Sequence, residues 1–395
     1  MYSLVILLTG CGFLALRRAV ASPGPWNLAA VAIVTAALLY TQYWSLYLVG
    51  IIGIWLLVAA FRRRREGHRE LAPWPAIGAV IVGCLLFIPW IPTFLYQSKH
   101  TGTPWSIPPN FSAVINAITG FTDNQGSNAT SSDQGRLLAV VYFAMLALAL
   151  FGIGKSPRVI ELDLHTRPRA RAMTFVVVGT LFAAIAGGII TSSAYSSRYA
   201  SIVFLPLLLL VAFGTTTLLS PKARAIVVTI AVVAGLVGSV QNITTKRTQA
   251  DQIAAELNAQ AKPGDVIAFC PDQLGPAVAR QLKDANQYTM LTFPRETGPA
   301  IVDWVDYADA VTAGKPAPFS QKVLSLAGPD HHVWLVWQGG YQTYGIKCET
   351  IDTDLTNAAT QAGGGARNIV AGNGYKYYEP MSLTEYSPTA AASGS

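Results

Sequence analysis

The sequence predicts a polytopic α-helical membrane protein of about eight spans, ending in a C-terminal extracytoplasmic α/β domain. Three observations predict it. First, roughly eight apolar runs of near-spanning length fill the first 241 residues. Second, charged residues make up only 12% of the chain and the mean hydropathy is +0.39, values that belong to a protein solvated by lipid. Third, Lys and Arg fall almost entirely into alternate gaps between the runs. One set of gaps holds Arg17 and Arg18; Arg62, Arg63, Arg64, Arg65 and Arg69; Lys155, Arg158, Arg167, Arg169 and Arg171; and Lys222 and Arg224, 14 basic residues in all. The other set holds Lys99, Arg136 and Arg198. By the positive-inside rule the first set faces the cytoplasm, which places everything after about Asn242 outside it.

The transmembrane region is read as 1–241, with spans at 2–16, 26–40, 43–61, 73–94, 137–154, 173–192, 200–219 and 225–241. Pro89, Pro92 and Pro206 lie in or near spans, where bundled neighbours satisfy the backbone groups that proline frees. The Arg17-Arg18 flank makes the first span run from outside to inside, leaving Met1 external with no signal peptide before it. The simplest expectation is that segments belong upstream of Met1; the alternative is a protein that inserts with its N-terminus outward. An external loop at 95–136 is long for a connector and carries Trp105, Pro104, Pro108, Pro109 and the polar run from Thr122 to Asn128. Within it, Ser112–Thr119 is expected to form a short helix on the membrane surface.

From 242 to 387 the pattern changes to soluble α/β. Gln249–Ala261 reads as a helix, Asp265–Cys270 as a buried strand, Leu274–Leu282 as a helix and Tyr288–Phe293 as a strand. Val302–Ala313 and Phe319–Leu326 read as helices and His332–Trp337 as a second buried strand. Strands alternating with helices imply some parallel pairing. Residues 388–395 read as a disordered tail of mostly small residues.

Of the four cysteines, Cys11 and Cys84 lie in spans as small hydrophobes. Cys270 and Cys348 lie in the external domain, an oxidising location, and are predicted to pair, although their spacing does not show that they meet. The net charge of +7 is not a nucleic-acid signal, because half of the 28 basic residues serve topology and can touch anionic head groups. No cofactor is predicted. His331-His332 has no cysteine pair or carboxylate cluster at ligand spacing, so a divalent metal is unsupported. The turn Asp272-Gln273-Leu274-Gly275-Pro276 opens a helix after a strand, but it matches neither dinucleotide nor P-loop glycine spacing.

Three segments together carry a family resemblance. Met1–Val20 (MYSLVILLTGCGFLALRRAV) resembles the stretch that follows the EAR-x-Y-x-L signature of bacterial membrane glycosyltransferases. Leu38–Tyr47 (LLYTQYWSLY) is similar to their YTHY segment, with Gln42 where the family often has His, and Tyr195–Pro206 (YSSRYASIVFLP) to their RY…P segment. These are the GT-C class enzymes of the protein-mannosyltransferase-like and aminoarabinose-transferase-like kind, whose actinobacterial members often end in an external α/β domain. The resemblance covers about residues 1–240. It implies a GT-C-like fold and transfer of a sugar, mannose ahead of arabinose, from a polyprenyl-phosphate carrier. The acceptor would be a cell-envelope glycan, glycolipid or protein. The family's catalytic Asp lies in a loop that would fall before Met1, so the resemblance assigns no catalytic residue here, and neither Asp123 nor Asp133 takes that role.

The resemblance puts the carrier phosphate on Arg198, since a guanidinium binds phosphate bidentately; the alternative is an interfacial arginine that snorkels to head groups. Tyr195 and Tyr199 would hydrogen-bond phosphate or sugar, or else belong to the aromatic belt. Tyr40, Gln42 and Tyr43 close the external end of a helix hairpin and would line the sugar site, or else form a solvated turn. Two other readings stand beside the enzyme. One is a transporter or flippase, against which the spans lack the buried ionisable residues that coupled transport usually needs. The other is a non-catalytic membrane protein whose external α/β domain binds a partner.

Overall fold

A computed structural model describes residues 1–65, 73–101, 109–110, 112–122, 133–191 and 197–387. Two compact units have their main boundary at Asn242/Ile243, and among the described residues 98–101 also group with the second. The tail at 388–395, Arg69, Tyr195 and much of the 95–136 loop lie outside the described residues.

The first unit is helical. Its elements are α1 (Tyr2–Ala21), α2 (Pro25–Thr41), α3 (Ser45–Arg65), α4 (Pro73–Leu85), α5 (Ile91–His100), α6 (Ala113–Gly120), α7 (Asp133–Phe151), β1 (Gly152–Ser156), β2 (Val159–Leu162), α8 (Pro168–Ile190), α9 (Ser201–Thr215) and α10 (Pro221–Thr244). Among the described residues seven helical segments are long and apolar enough to cross a membrane, with α4 and α5 counted as one span of 28 residues. The eighth apolar helix, α2, has 17 residues and falls short of that length. A helix satisfies its own backbone polar groups, which is the only way a single segment can cross hydrocarbon. Small residues let the helices close up. A Cβ on Gly214 of α9 would stand 1.9 Å from the Met145 carbonyl oxygen of α7, so only glycine permits that approach.

The expected span at 137–154 is corrected at its end. Helix α7 stops at Phe151 and the chain enters an antiparallel hairpin, β1 pairing with β2 from Gly152↔Leu162 to Ser156↔Val159. Pro157 and Arg158 make the turn, and Lys155 pairs with Glu161 at 2.5 Å. Part of a basic gap between spans is therefore a β-ribbon.

The second unit contains α11 (Ala250–Gln260), β3 (Val266–Cys270), α12 (Gly275–Ala279), β4 (Thr289–Thr292), α13 (Tyr307–Ala313), α14 (Pro316–Ala327), β5 (Val333–Trp337), α15 (Lys347–Gln361), β6 (Gly365–Val370) and β7 (Ser382–Ser387). The strands form one five-stranded sheet in the order β4-β3-β5-β7-β6. β4, β3 and β5 are parallel, while β7 runs antiparallel to β5 and to β6. Every residue of β3 is buried, as a central parallel strand covered on both faces requires. Alternation assigns the faces. Val266, Ala268 and Cys270 pack with Val311, Phe319 and Ile351, whereas Ile267 and Phe269 pack with Ile253, Leu257 and Val278.

The helix expected over Val302–Ala313 begins only at Tyr307. The Asp303 carboxylate accepts the Val305 amide at 3.0 Å, and Asp306 takes a left-handed φ of 49°, so a turn occupies the first half. Cys270, at the end of β3, is joined by a disulfide to Cys348 in the first turn of α15, 78 residues further along the chain. Both are buried. Opening a loop of this length is expected to cost roughly 2–5 kcal/mol. The variant Cys348→Ser should accordingly lower hydrogen-exchange protection of the β3 and β5 amides in the full chain. Unchanged protection would show that the disulfide does not stabilise the sheet.

Candidate functional site

The turn between α2 and α3 brings together most of the sequence-predicted residues. α2 ends because Gln42 leaves the helical region, with φ −155° and ψ 124°, while its amide still bonds Leu38 O. The Ser45 amide then donates to the Gln42 carbonyl at 3.0 Å and opens α3. Gln42 does not point into solvent. It is only 6% exposed; its Nε2 donates to Tyr199 O at 3.2 Å, and its Oε1 accepts from Ser201 Oγ at 3.5 Å. One buried amide thus ties the α2–α3 turn to the 3-10 turn Ser197–Ala200 that precedes α9. A buried amide with both ends satisfied fixes position well, because leaving either end unpaired is costly.

That tie positions the two residues beside it. The Trp44 ring lies 5.5 Å from the Tyr199 ring, and the Arg198 guanidinium lies 5.6 Å from the Tyr199 ring centroid. Tyr2, at the start of α1, is within electrostatic reach of Arg198 and Tyr199. Helix α6 packs on the same 3-10 turn. Arg198 is exposed, and among the described residues no carboxylate pairs with it. The half-buried Tyr199 hydroxyl likewise has no hydrogen-bond partner among the described residues. These are the free polar groups of the turn: a planar cation and a phenol on an aromatic floor, suited to a phosphate oxyanion.

Tyr43 and Tyr40 belong to a neighbouring aromatic cluster. The Tyr43 hydroxyl donates to Gln97 Oε1 at 2.6 Å and accepts from Trp90 Nε1 at 2.9 Å. The Tyr40 hydroxyl donates to Leu86 O at 3.0 Å, where the chain passes from α4 to the 3-10 turn Ile88–Trp90. Both hydroxyls are occupied within the protein. They brace the proline-interrupted span instead of facing a ligand. Ser45 Oγ, at the first residue of α3, is fully buried without a partner among the described residues.

The second unit holds a constellation that the sequence pattern left as a turn. Asp272 lies just past the carboxyl end of β3, at the point where the chain departs to one side for β4 and later returns on the other side as β5. Crevices at such reversals are where open α/β sheets place ligands. The Tyr307 hydroxyl donates to Asp272 Oδ1, the Tyr344 hydroxyl reaches the same oxygen at 3.2 Å, and the two hydroxyls are 2.6 Å apart. The Trp304 ring stacks 4.7 Å from that of Tyr307. Burial pushes the Asp272 carboxyl up, partly opposed by the two tyrosine hydrogen bonds. Burial and the adjacent carboxylate also hold both phenols far above their ordinary range, so they remain donors. Tyr341 is pushed up to about 12, by burial first and the charge of Glu379 second. Glu379 is itself raised by burial.

Among the described residues no three His, Cys, Asp or Glu side chains gather as a metal site. No protein-family model, curated protein or solved structure matches the chain.

The raised carboxyls make the α/β unit's stability depend on pH with a definite sign. A group that holds its proton more tightly folded than unfolded contributes stability that is lost as pH rises. The loss begins near the unfolded values of about 3.9 for Asp and 4.3 for Glu, and ends at the raised folded values. Protection of the β3 and β5 amides should therefore fall with rising pH through the weakly acidic range. Asp272→Asn should flatten much of that dependence, and Tyr307→Phe should extend it upward by removing a bond to the carboxylate. A profile that is flat in the unaltered protein would contradict this account.

Proposed function

We propose that this chain acts as a GT-C-like membrane glycosyltransferase of a bacterial cell envelope. It binds a polyprenyl-phosphate sugar, with mannose the favoured sugar, at the membrane end that carries Arg198. It passes the sugar to a glycan, glycolipid or exported protein. The sites sit in the plasma membrane, with the α/β unit on the extracytoplasmic side. The observation that carries the reading is Arg198: a free guanidinium held over Tyr199, on a turn locked by buried Gln42, on the face where lysine and arginine are scarce. A guanidinium there neutralises charge as the carrier phosphate departs. No residue of this chain is assigned as the base.

The test uses the full chain in lipid nanodiscs with labelled polyprenyl-phosphate mannose. Arg198→Gln should weaken binding about ten- to a hundredfold, the worth of one charge-assisted phosphate contact. Arg198→Lys should retain part of the affinity, and Tyr40→Phe should change nothing. Release of unlabelled polyprenyl phosphate on adding envelope glycans would support transfer. Binding that Arg198→Gln leaves untouched would sink the reading. Binding through Arg198 without any transfer would favour a non-catalytic carrier-binding protein.

A further inference from the structure

A groove of about 450 Å³ opens between α1, α2, α3, α8 and α9, within the first unit. Its size is that of a small-ligand pocket, commonly about 300–1,000 Å³. We propose that it holds one hydrocarbon chain of an anionic bilayer lipid, whose phosphate rests on Arg17 and Arg63.

Length and charge carry the proposal. Below its arginines the lining reaches from Arg17 to Thr9 along α1, about 12 Å at helical rise, and from Arg63 to Leu48 along α3, about 22 Å. These depths bracket half of a hydrocarbon core about 30 Å thick, so the groove spans about one leaflet. Its wall is aliphatic and aromatic, with Thr9 and Thr35 the lining hydroxyls. The charged lining residues are Arg17 and Arg63, each in the closing turns of its helix, α1 and α3. Both are exposed, and among the described residues no carboxylate pairs with either. Gly12 keeps the floor low, since a Cβ there would meet Val34 Cγ1 at 3.2 Å.

An apolar slot about one leaflet deep with two arginines at its mouth is complementary to a lipid whose phosphodiester headgroup carries a net negative charge. A zwitterionic lipid would bring a cation of its own beside the two guanidiniums and leave their net charge uncompensated. The mouth belongs to the strongly basic face, where anionic lipids gather around juxtamembrane arginines. It is also remote from Arg198: Tyr2, beside Arg198, and Arg17 are separated by about 22 Å along α1. This is a second lipid-phosphate site, and it does not depend on the chain being a glycosyltransferase.

The test is native mass spectrometry of the full chain released from mixed micelles of phosphatidylglycerol and phosphatidylcholine with identical acyl chains. Phosphatidylglycerol should be retained at least tenfold in preference. Arg17→Gln combined with Arg63→Gln should abolish that preference, whereas Arg158→Gln combined with Lys222→Gln, which alters the basic face outside the groove, should preserve it. Ala172→Phe, which fills the groove at its basic end, should reduce retention of both lipids, with helical content checked by circular dichroism. Equal retention of the two lipids in the unaltered protein would overturn the proposal. So would a loss of preference in the Arg158/Lys222 variant as large as that in the Arg17/Arg63 variant.

Discussion

Guanidinium groups cannot be left in hydrocarbon, and the helical unit is arranged around that constraint. A charged side chain at mid-membrane is costly, so each arginine must sit where its helix leaves the apolar layer. α3 ends in Arg62, Arg63, Arg64 and Arg65, and α1 carries Arg18 in its last turn. In both places the cations also meet the negative end of the helix dipole. The same requirement that sets where spans stop therefore gathers positive charge on one face. Arg17 and Arg63 then give an otherwise apolar groove a polar mouth.

The α/β unit shows how two buried carboxylates at opposite ends of one strand come to differ. Asp265, just before β3, accepts the amides of Lys262 and His332 and the indole of Trp334 at 2.9–3.0 Å. Three N–H donors saturate it and tie β3 to the start of β5, which is a structural task. Asp272, just after β3, meets phenol hydroxyls instead, with burial raising its carboxyl. Those hydroxyls come from α13 and from the loop after β5, so both segments converge on one oxygen. The Cys270–Cys348 disulfide joins the same end of β3 to the start of α15. Asp265 ties two strands together, and Asp272 ties α13 and the loop after β5 to the end of β3.

What the sequence made legible was what local physics decides. Long apolar runs gave the helices, because a membrane solvent leaves the backbone no other single-segment solution. The runs DVIAFC and HVWLVW gave the central strands β3 and β5, because a strand covered on both faces is apolar throughout. Elements without such a pattern stayed hidden. β6 reads GARNIV and is largely exposed, so it shows neither alternation nor a continuous run. α15 is polar along most of its length. The β1–β2 hairpin follows a span without a break in hydropathy. The candidate site divides in the same way. Arg198 stood out through its isolation among few basic residues, whereas the inward turn of Gln42 depends on Tyr199, 157 residues away. The meeting of Tyr307 and Tyr344 on Asp272 likewise spans 35 and 72 residues. Neither pairing leaves a local trace.

Gln42 and Arg198 are most informative when taken together. Arginine on a face rich in arginine has a sufficient explanation in topology. Arg198 stands on the other face, where that explanation fails, and the structure invests a buried amide in fixing the turn that carries it. Holding a surface cation merely to touch head groups needs no such investment, since a long side chain snorkels to them from a mobile turn equally well. The Gln42 tie instead orders the backbone of that turn, so part of the cost of placing a guanidinium there is met before any anion arrives. The buried Gln42 amide thus distinguishes the turn that carries Arg198 from a loose turn bearing an interfacial arginine, and it is the structural support for the phosphate site proposed there.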